Sequence, residues 1–506
     1  MVWTSIGLMG ILIIYFLPWR YQVNDDIILD WLLSGVYTGT PEAYVIFIHP
    51  LWSGFLAFLF KNFNTTPWYS IQHFLVLGGS CYLGIQSIEF QSDQWKQRLL
   101  ATLVLSISWH ISLMPQFTLV SGWAAATAIM YLGFGSKKPW ETRFAWLLFA
   151  IAAMIRLESA GLIALGFGVV TFGLGRGMVN IKQFTAFGLI ILGLTLSQKI
   201  WENQSEFKAF LKFNQARAKV LDHPVFYEDW PKDQLNEDSK WFYFSNWFIE
   251  KSGISMEDLS EKSKELNARQ LSLSEVNRSF SRLIRIQKEE AFKGVISAIL
   301  LILFALNYRS FTLKTWLAIG VWIIFLLIFN HFFHVKGRVL FLFFLPILTP
   351  FFLILKSSNQ IRGATLFTVI LPFLFAYHLI NFAREAKERS GLLVQFKTLM
   401  NDSMTVTKLE GFPLEYFSKA NLTQGNTHLL LDGWVARSPY QMRALDRLGY
   451  QDFSDIQEYN LLGIKKFAPF YFPDYMNSFG NHYELIETKE TEDLILYQFK
   501  IPDTSN

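Results

Sequence analysis

The sequence predicts an all-α polytopic membrane protein of about eleven transmembrane helices, with a small extracytoplasmic α/β domain at its C-terminus. Three observations support this fold class. The 506 residues are 52% apolar, and only 17% are charged, against about a quarter in soluble domains. The 49 phenylalanines cluster in long apolar runs, as helices within a bilayer require. Only the last part of the chain, from about residue 381, is polar enough to fold in water.

Successive apolar runs along the chain are each long enough, or nearly long enough, to cross a bilayer. The first run lacks the basic start and the small-residue cleavage site of a signal peptide, so we expect an uncleaved span. The runs lie at about 4–19, 69–90, 98–114, 117–134, 144–155, 159–174, 184–200, 291–307, 315–330, 338–355 and 363–380.

The polar breaks between these runs alternate between basic breaks and breaks nearly free of Lys and Arg. By the positive-inside rule, this alternation predicts a cytoplasmic N-terminus and an external C-terminus. Residues 1–380 then form the transmembrane domain, with outer loops at 20–68 and 201–290, and residues 381–506 form the extracytoplasmic domain. In this last domain the pattern predicts strands at 428–434 and 494–499, a helix at 439–448 and a turn at 489–493.

Two adjacent carboxylates, Asp25 and Asp26, directly follow the first apolar run. Acidic groups at a membrane surface cost free energy unless they are solvated, paired or used. One interpretation is that an Asx residue here is the N-cap of the helix that follows. This role would leave the other carboxylate free to act as a general base toward a sugar hydroxyl. The pair could also ligate a divalent cation such as Mg²⁺ or Mn²⁺.

The first outer loop is predicted to contain two helices in the membrane interface. The first begins at Asp26 and directs Ile27, Trp31 and Leu32 toward lipid. Residues 44–60 form the second helix. If this segment crossed the bilayer, every downstream basic loop would lie outside, so we expect it to lie in the interface.

Arg156 and Glu158 interrupt the apolar segment 144–174, which is predicted to be a helical hairpin. The two side chains could form a structural ion pair, or the arginine could snorkel to the surface. Alternatively, Arg156 could receive a phosphate at the membrane surface, where the guanidinium geometry suits this ligand.

A second group of basic side chains lies on the predicted outer side, at His331, His334, Lys336 and Arg338. Positive charge kept there against the positive-inside trend indicates an anionic partner such as a lipid phosphate. The two histidines have the spacing of metal ligands on a helix. Without a neighbouring carboxylate, however, a metal site there is disfavoured.

Asn214 and Arg217 lie three residues apart in the second outer loop, which fits either a solvated helix face or a weak substrate contact. The net charge of +4 is too small to indicate a nucleic-acid partner. The single cysteine, Cys81, excludes a disulfide framework and a cysteine-based metal site.

This layout resembles the GT-C superfamily of integral-membrane glycosyltransferases, which includes protein O-mannosyltransferases and the aminoarabinose transferase of lipid A. Asn24-Asp25-Asp26 matches the acidic motif of the family's first outer loop, and 41–68 matches its interfacial helices. Arg156 and Lys336-Gly-Arg338 resemble the outer-face basic sites that hold the donor phosphate. The resemblance covers the layout of most of the chain. Its motifs are short, so they point to a superfamily and not to a substrate.

The resemblance implies transfer of a sugar, with inversion, from a polyprenyl-phosphate donor to a hydroxyl of a glycan, lipid or protein acceptor. It implies that Asp25 is the base and Asp26 a supporting or ligating group, in a protein of the plasma (inner) membrane that builds cell-envelope glycans. Two alternatives stay open: a glycan polymerase or ligase of another fold, and a lipid or solute transporter (flippase). The polar residues lie at the ends of the predicted spans and not near the midplane, which disfavours the transporter.

Overall fold

The computed structural model describes residues 2–89, 94–136, 138–173, 181–229, 240–250, 253–289, 312–354, 362–400, 405–420 and 427–502. The structure is 72% helical with a small sheet, which agrees with the predicted mixture of many helices and one α/β unit. The predicted span at 291–307 lies outside the described residues.

The described helices follow one another with short connections through the first four hundred residues. They are α1 Val2–Phe16, α2 Asn24–Ser34, α3 Pro50–Asn62, α4 Trp68–Gln86, α5 Gln94–Leu113, α6 Phe117–Phe134, α7 Pro139–Ile155, α8 Leu157–Gly173, α9 Ile181–Gln204, α10 Lys208–Leu221, α11 Pro224–Asp229, α12 Lys240–Ser245, α13 Met256–Gln270, α14 Leu273–Glu289, α15 Leu313–Phe332, α16 Gly337–Ile354 and α17 Arg362–Met400.

Among the described helices, three are long and apolar enough to cross a membrane: α6, α9 and α15. Shorter apolar stretches occur in α1, α8 and α16. Protein buries 89% of the apolar window of α6, but only 6% of that of α9 and 28% of that of α15. α6 is therefore a central helix, whereas α9 and α15 present apolar surface on the outside of the structure.

Helices α7 and α8 pack against this central helix, and the chain between them breaks at Arg156. The Ser121 hydroxyl of α6 donates hydrogen bonds to the carbonyl oxygens of Ala152 at 2.8 Å and of Arg156 at 3.0 Å. On another side α16 approaches closely, because a Cβ at Gly122 would lie 2.3 Å from a methyl group of Leu342. The break expected within 144–174 is thus present, and it leaves Arg156 at the N-terminal end of α6.

Helix α2 corrects two expectations from the sequence. It begins at Asn24, its N-cap position is Val23, and no side chain caps it, so neither carboxylate serves as the cap. Ile27, Trp31 and Leu32 do not face lipid, because each is at most 3% exposed. The reason lies far along the chain: the short 3₁₀ helix Leu414–Lys419 packs on α2 and covers this face.

Helix α3 is different, because one of its faces stays open. Leu51, Phe55 and Phe58 are between 48% and 67% exposed, while Leu56 and Phe60 on the opposite side are buried. An open apolar face on a short helix is the pattern expected of an interfacial helix.

The C-terminal unit is built on a five-stranded sheet of order β2-β1-β3-β5-β4, with β1 parallel to β2 and β3 and the other pairs antiparallel. The predicted boundary at residue 380 falls inside α17, which continues unbroken to Met400. The predicted turn at 489–493 joins the last two strands. The elements of the unit are β1 Thr407–Glu410, β2 Leu429–Leu430, α18 Pro439–Arg447, β3 Glu458–Ile464, α19 Phe472–Asn477, β4 Glu484–Glu490 and β5 Leu494–Lys500.

The C-terminal unit is attached directly to the segment that carries α2. The Arg443 guanidinium lies 2.9 Å from the Glu42 carboxylate, and the Tyr440 hydroxyl donates to the Tyr44 carbonyl oxygen at 3.1 Å. These bonds bring the turn that precedes α18 against the first turn of α2.

Candidate functional site

Asp25 lies in the first turn of α2 with its side chain 23% exposed. Its Oδ1 accepts a hydrogen bond from the Trp434 indole Nε1 at 3.1 Å. Its Oδ2 lies 3.7 Å from Nη2 of Arg338, at the start of α16. Three distant parts of the chain, α2, α16 and the C-terminal unit, therefore meet at this carboxylate.

Arg217 of α10 faces the same region and is only 4% exposed. Its Nε donates to Asn214 Oδ1 at 2.9 Å, while its Nη1 has no hydrogen-bond partner among the described residues. Burial lowers the pKa of Arg217 to about 10, although the charges of Asp222 and Asp25 oppose this shift. A buried guanidinium with a free donor favours an anionic ligand.

Lys336 completes this basic group, next to Arg338 in sequence. Desolvation lowers the pKa of its ammonium group, and the charge of Arg338 adds to the effect. Asp222 and Asp25 act in the opposite direction. The side chain remains accessible to water although protein surrounds much of it, so it lies in a recess.

We define the Asp25 site as Asp25, Arg217, Lys336, Arg338 and Trp434. Three cations there face Asp25 and the exposed Asp222, which leaves an excess of positive charge. This balance suits an anion such as a phosphate. A divalent cation does not fit, because the cations would repel it. The described residues also contain no group of three or more His, Cys, Asp or Glu that could hold a metal ion.

Asp26 points the other way, into the protein, and is fully buried. Its Oδ1 accepts hydrogen bonds from the Tyr69 hydroxyl and the Phe117 backbone N–H, both at 3.0 Å. Desolvation raises the pKa of Asp26, and the side chain of His73 is the strongest of the neighbours that lower it. The carboxylate ties α2 to α4 and to the N-terminus of α6, and it cannot contact a ligand at the Asp25 site.

A proton is shared between Asp26 and His73. Nδ1 of His73 lies 2.7 Å from the Tyr69 carbonyl oxygen, which can only accept, so Nδ1 carries a hydrogen. Nε2 then faces Asp26 Oδ1 at 3.6 Å. Two bare acceptors would repel each other there, so the pair holds one further proton and its net charge is zero.

Arg156 lies behind an aromatic layer, close to the Asp25 site but separate from it. Its guanidinium stacks over Phe47 at 5.0 Å and Phe117 at 5.3 Å, and its Nε lies 3.1 Å from the Glu158 carboxylate. Phe47 in turn packs edge-on against Trp434, with ring centroids 5.3 Å apart. The guanidinium thus reaches the site only through these rings, and Glu158 is largely exposed.

The two candidate histidines lie near the basic group but play no common role. His334 stacks on Tyr227 with centroids 3.8 Å apart, and burial lowers the pKa of His334 to about 3, with Lys336 as the next cause. His334 is therefore neutral. The backbone oxygen of His331 accepts a hydrogen bond from Gln270 at 2.6 Å. No described carboxylate completes a metal site with them.

Sequence reasoning missed Trp434. The only local signal is the Asp432-Gly433-Trp434 turn after a short strand, and nothing in it indicates a contact with Asp25. Backbone strain also marks the surroundings of the site. Of the three described non-glycine residues with positive φ, Phe47 at 81° and Trp247 at 68° both lie next to it.

Comparison with known proteins gives no relative: no family model, no curated protein and no solved structure matches this chain.

Proposed function

We propose that the protein is a membrane glycosyltransferase with a GT-C-like fold. It transfers a sugar from a polyprenyl-phosphate donor to an acceptor hydroxyl at the outer membrane surface. The observation that carries the proposal is the meeting of one partly exposed carboxylate, Asp25, with the cations of Arg217, Lys336 and Arg338. A general base beside an anion site is what such a transfer needs.

In the proposed reaction, Asp25 takes the proton of the acceptor hydroxyl as its oxygen attacks the anomeric carbon. The bond between that carbon and the phosphate oxygen breaks, and the anomeric configuration inverts. The leaving polyprenyl phosphate gains negative charge, which Arg338, Lys336 and the free donor of Arg217 stabilise electrostatically. The donor phosphate also replaces Asp25 as the partner of Arg338, which frees the carboxylate to act as a base.

Arg156 has a supporting role in this proposal. Its guanidinium lies on Phe47 and Phe117, one ring layer away from Asp25, so it orders the aromatic wall of the site. This placement favours a positioning role for Arg156 over contact with the donor phosphate. Asn214 likewise acts through Arg217, whose guanidinium it holds.

The membrane setting extends the three candidate spans of the described helices to the arrangement of about eleven that the sequence predicts. Its supports are the exposed apolar surfaces of α9 and α15 and the open face of α3. With the N-terminus in the cytoplasm, the Asp25 site and the C-terminal unit lie on the extracytoplasmic side. A lipid-linked donor suits that side, because nucleotide sugars are absent there.

The test is sugar release from a panel of polyprenyl-phosphate sugars by the full-length protein in proteoliposomes. We expect turnover by the wild type and a loss of about 10²- to 10⁴-fold in Asp25→Asn, the range for removal of a general base. Glu490→Gln, which changes an exposed carboxylate of β4, is the matched control and should keep full turnover. Near-normal turnover in Asp25→Asn, or none in the wild type with any donor, would contradict the proposal.

A further inference from the structure

Trp247 has an unusual combination of properties for a tryptophan in a folded protein. Its backbone φ is 68°, in the left-handed region that bulky residues avoid. Its side chain is 36% exposed although the neighbouring residues Phe244 and Phe248 are buried. Strain of this kind costs of order 1–3 kcal/mol and persists only where the surroundings impose it. The fold therefore holds this indole outward at a free-energy cost.

The indole is held beside the Asp25 site by contacts on two sides. The Arg217 guanidinium lies over the ring, 4.9 Å from its centroid. The backbone oxygen of Trp247 accepts from the Gly433 N–H at 3.4 Å, and a Cβ at Gly433 would lie 3.7 Å from the indole. Gly433 directly precedes Trp434, which donates to Asp25. Trp247 thus forms a wall of the site, next to its base and one of its cations.

We propose that the exposed surface of the Trp247 indole binds a sugar ring. The C–H groups on one face of a sugar ring are apolar enough to pack on an indole, and the hydroxyl groups need polar partners close by. The site supplies such partners in Asp25 and Arg217. This inference rests on the proposed function, since it names the surface against which the transferred sugar or the accepting sugar lies.

The competing explanation is a membrane anchor, because tryptophans also collect at bilayer surfaces. An anchor would point away from the charged residues. Trp247 instead packs under a buried guanidinium and against the turn that carries Trp434. The contacts therefore favour the sugar ring.

The test uses the full-length protein in nanodiscs and a panel of methyl glycosides of common hexoses, pentoses and N-acetylhexosamines. Binding is followed by saturation-transfer NMR. We expect at least one glycoside to bind the wild type and Asp25→Asn, and its signal to fall at least fivefold in Trp247→Gly and Trp247→Asn. Glycine and asparagine both accept a positive φ, so these variants remove the ring and keep the fold. An unchanged signal in both variants, or no binding by the wild type, would overturn the proposal.

A second arm separates donor sugar from acceptor sugar and tests the proposed function independently. If the ring holds the donor sugar, Trp247→Gly weakens binding of a polyprenyl-phosphate sugar at least fivefold and leaves binding of polyprenyl phosphate unchanged. If the ring holds the acceptor, both affinities stay as in the wild type. Failure of the wild type to bind polyprenyl phosphate would refute the proposed function, while the glycoside result still decides the role of Trp247.

The anchor explanation is tested with a nitroxide attached at Trp247→Cys in a Cys81→Ser background. A label in the site is reached by a water-soluble nickel chelate, whereas a label in lipid is reached mainly by oxygen. Preferential access of oxygen would overturn the proposal.

Discussion

Asp25 and Asp26 are neighbours in the chain, yet their carboxylates lie in opposite surroundings. Asp25 is partly exposed, has one neutral donor and faces cations on other helices. Asp26 is sealed, accepts from Tyr69 and Phe117, and shares a proton with His73. Adjacent residues at the start of a helix point in different directions, so one turn can serve two purposes. Chemistry requires the open carboxylate, and the fixed position of that carboxylate requires the sealed one.

The largest effect on the free energy of unfolding should follow from Asp26→Ala. It leaves the Tyr69 hydroxyl, the Phe117 N–H and the His73 imidazole without their partner, and we expect a loss of about 3 kcal/mol. The matched variant Asp25→Ala should change stability by about 0.5 kcal/mol or less, because its carboxylate is accessible to water. Denaturant unfolding of the purified proteins measures both. Equal losses would show that the two surroundings do not differ as described.

Arg217→Ala should weaken binding of polyprenyl phosphate by about 10- to 100-fold, which is the loss of one charge-assisted hydrogen bond. Its melting temperature should not fall, because the removed guanidinium has an unsatisfied buried donor. Arg278→Ala is the matched control, since Arg278 already pairs with Asp229 and Glu275. Equal affinities of the two variants would remove Arg217 from the anion site.

Trp434→Phe should reduce turnover by about two- to tenfold, since the ring stays and only the N–H donated to Asp25 is lost. The affinity for polyprenyl phosphate should not change, because Trp434 does not belong to the cationic group. Trp140→Phe, on an exposed tryptophan of α7, serves as the control for the substitution itself. A larger loss of donor affinity than of turnover would contradict this assignment.

The smallest effect concerns pH and the sealed side of α2. Burial raises the pKa of Asp30 from 3.8 to about 7, and the charge of Asp26 adds to the shift. A raised carboxyl pKa means that the stabilisation is fully present below about pH 4 and is lost as the pH rises through 7. Asp30→Asn should therefore gain stability relative to the wild type between pH 5 and 8, as melting temperatures would show. Parallel curves would contradict this shift.

The sequence predicts the local features of this molecule well. Apolar runs mark most helices, the break at Arg156 is where the pattern places it, and the turn at 489–493 joins two strands. The acidic pair and the basic residues 336–338 also meet, with Arg338 3.7 Å from Asp25. These features depend on residues close in sequence, or on unusual charge in an apolar context.

The features that the sequence does not reveal all depend on packing between distant segments. Ile27 and Trp31 have the pattern of lipid-facing residues, and only the covering segment 414–419 turns them inward. The pairing of Asp26 with His73 joins two helices, and nothing in the local pattern around His73 indicates it. Trp434 reaches Asp25 because Tyr440 and Arg443 attach the C-terminal unit to the first loop.

The hydrogen bond between Trp434 and Asp25 joins residues that are 409 positions apart. During synthesis, therefore, the ribosome makes the base almost at once and its partner almost last. A chain that stops before residue 434 carries Asp25 and the cations but lacks the indole and the unit that covers α2. Completion of the chain thus acts as a checkpoint, since the assembled site can exist only in a molecule whose synthesis has nearly finished.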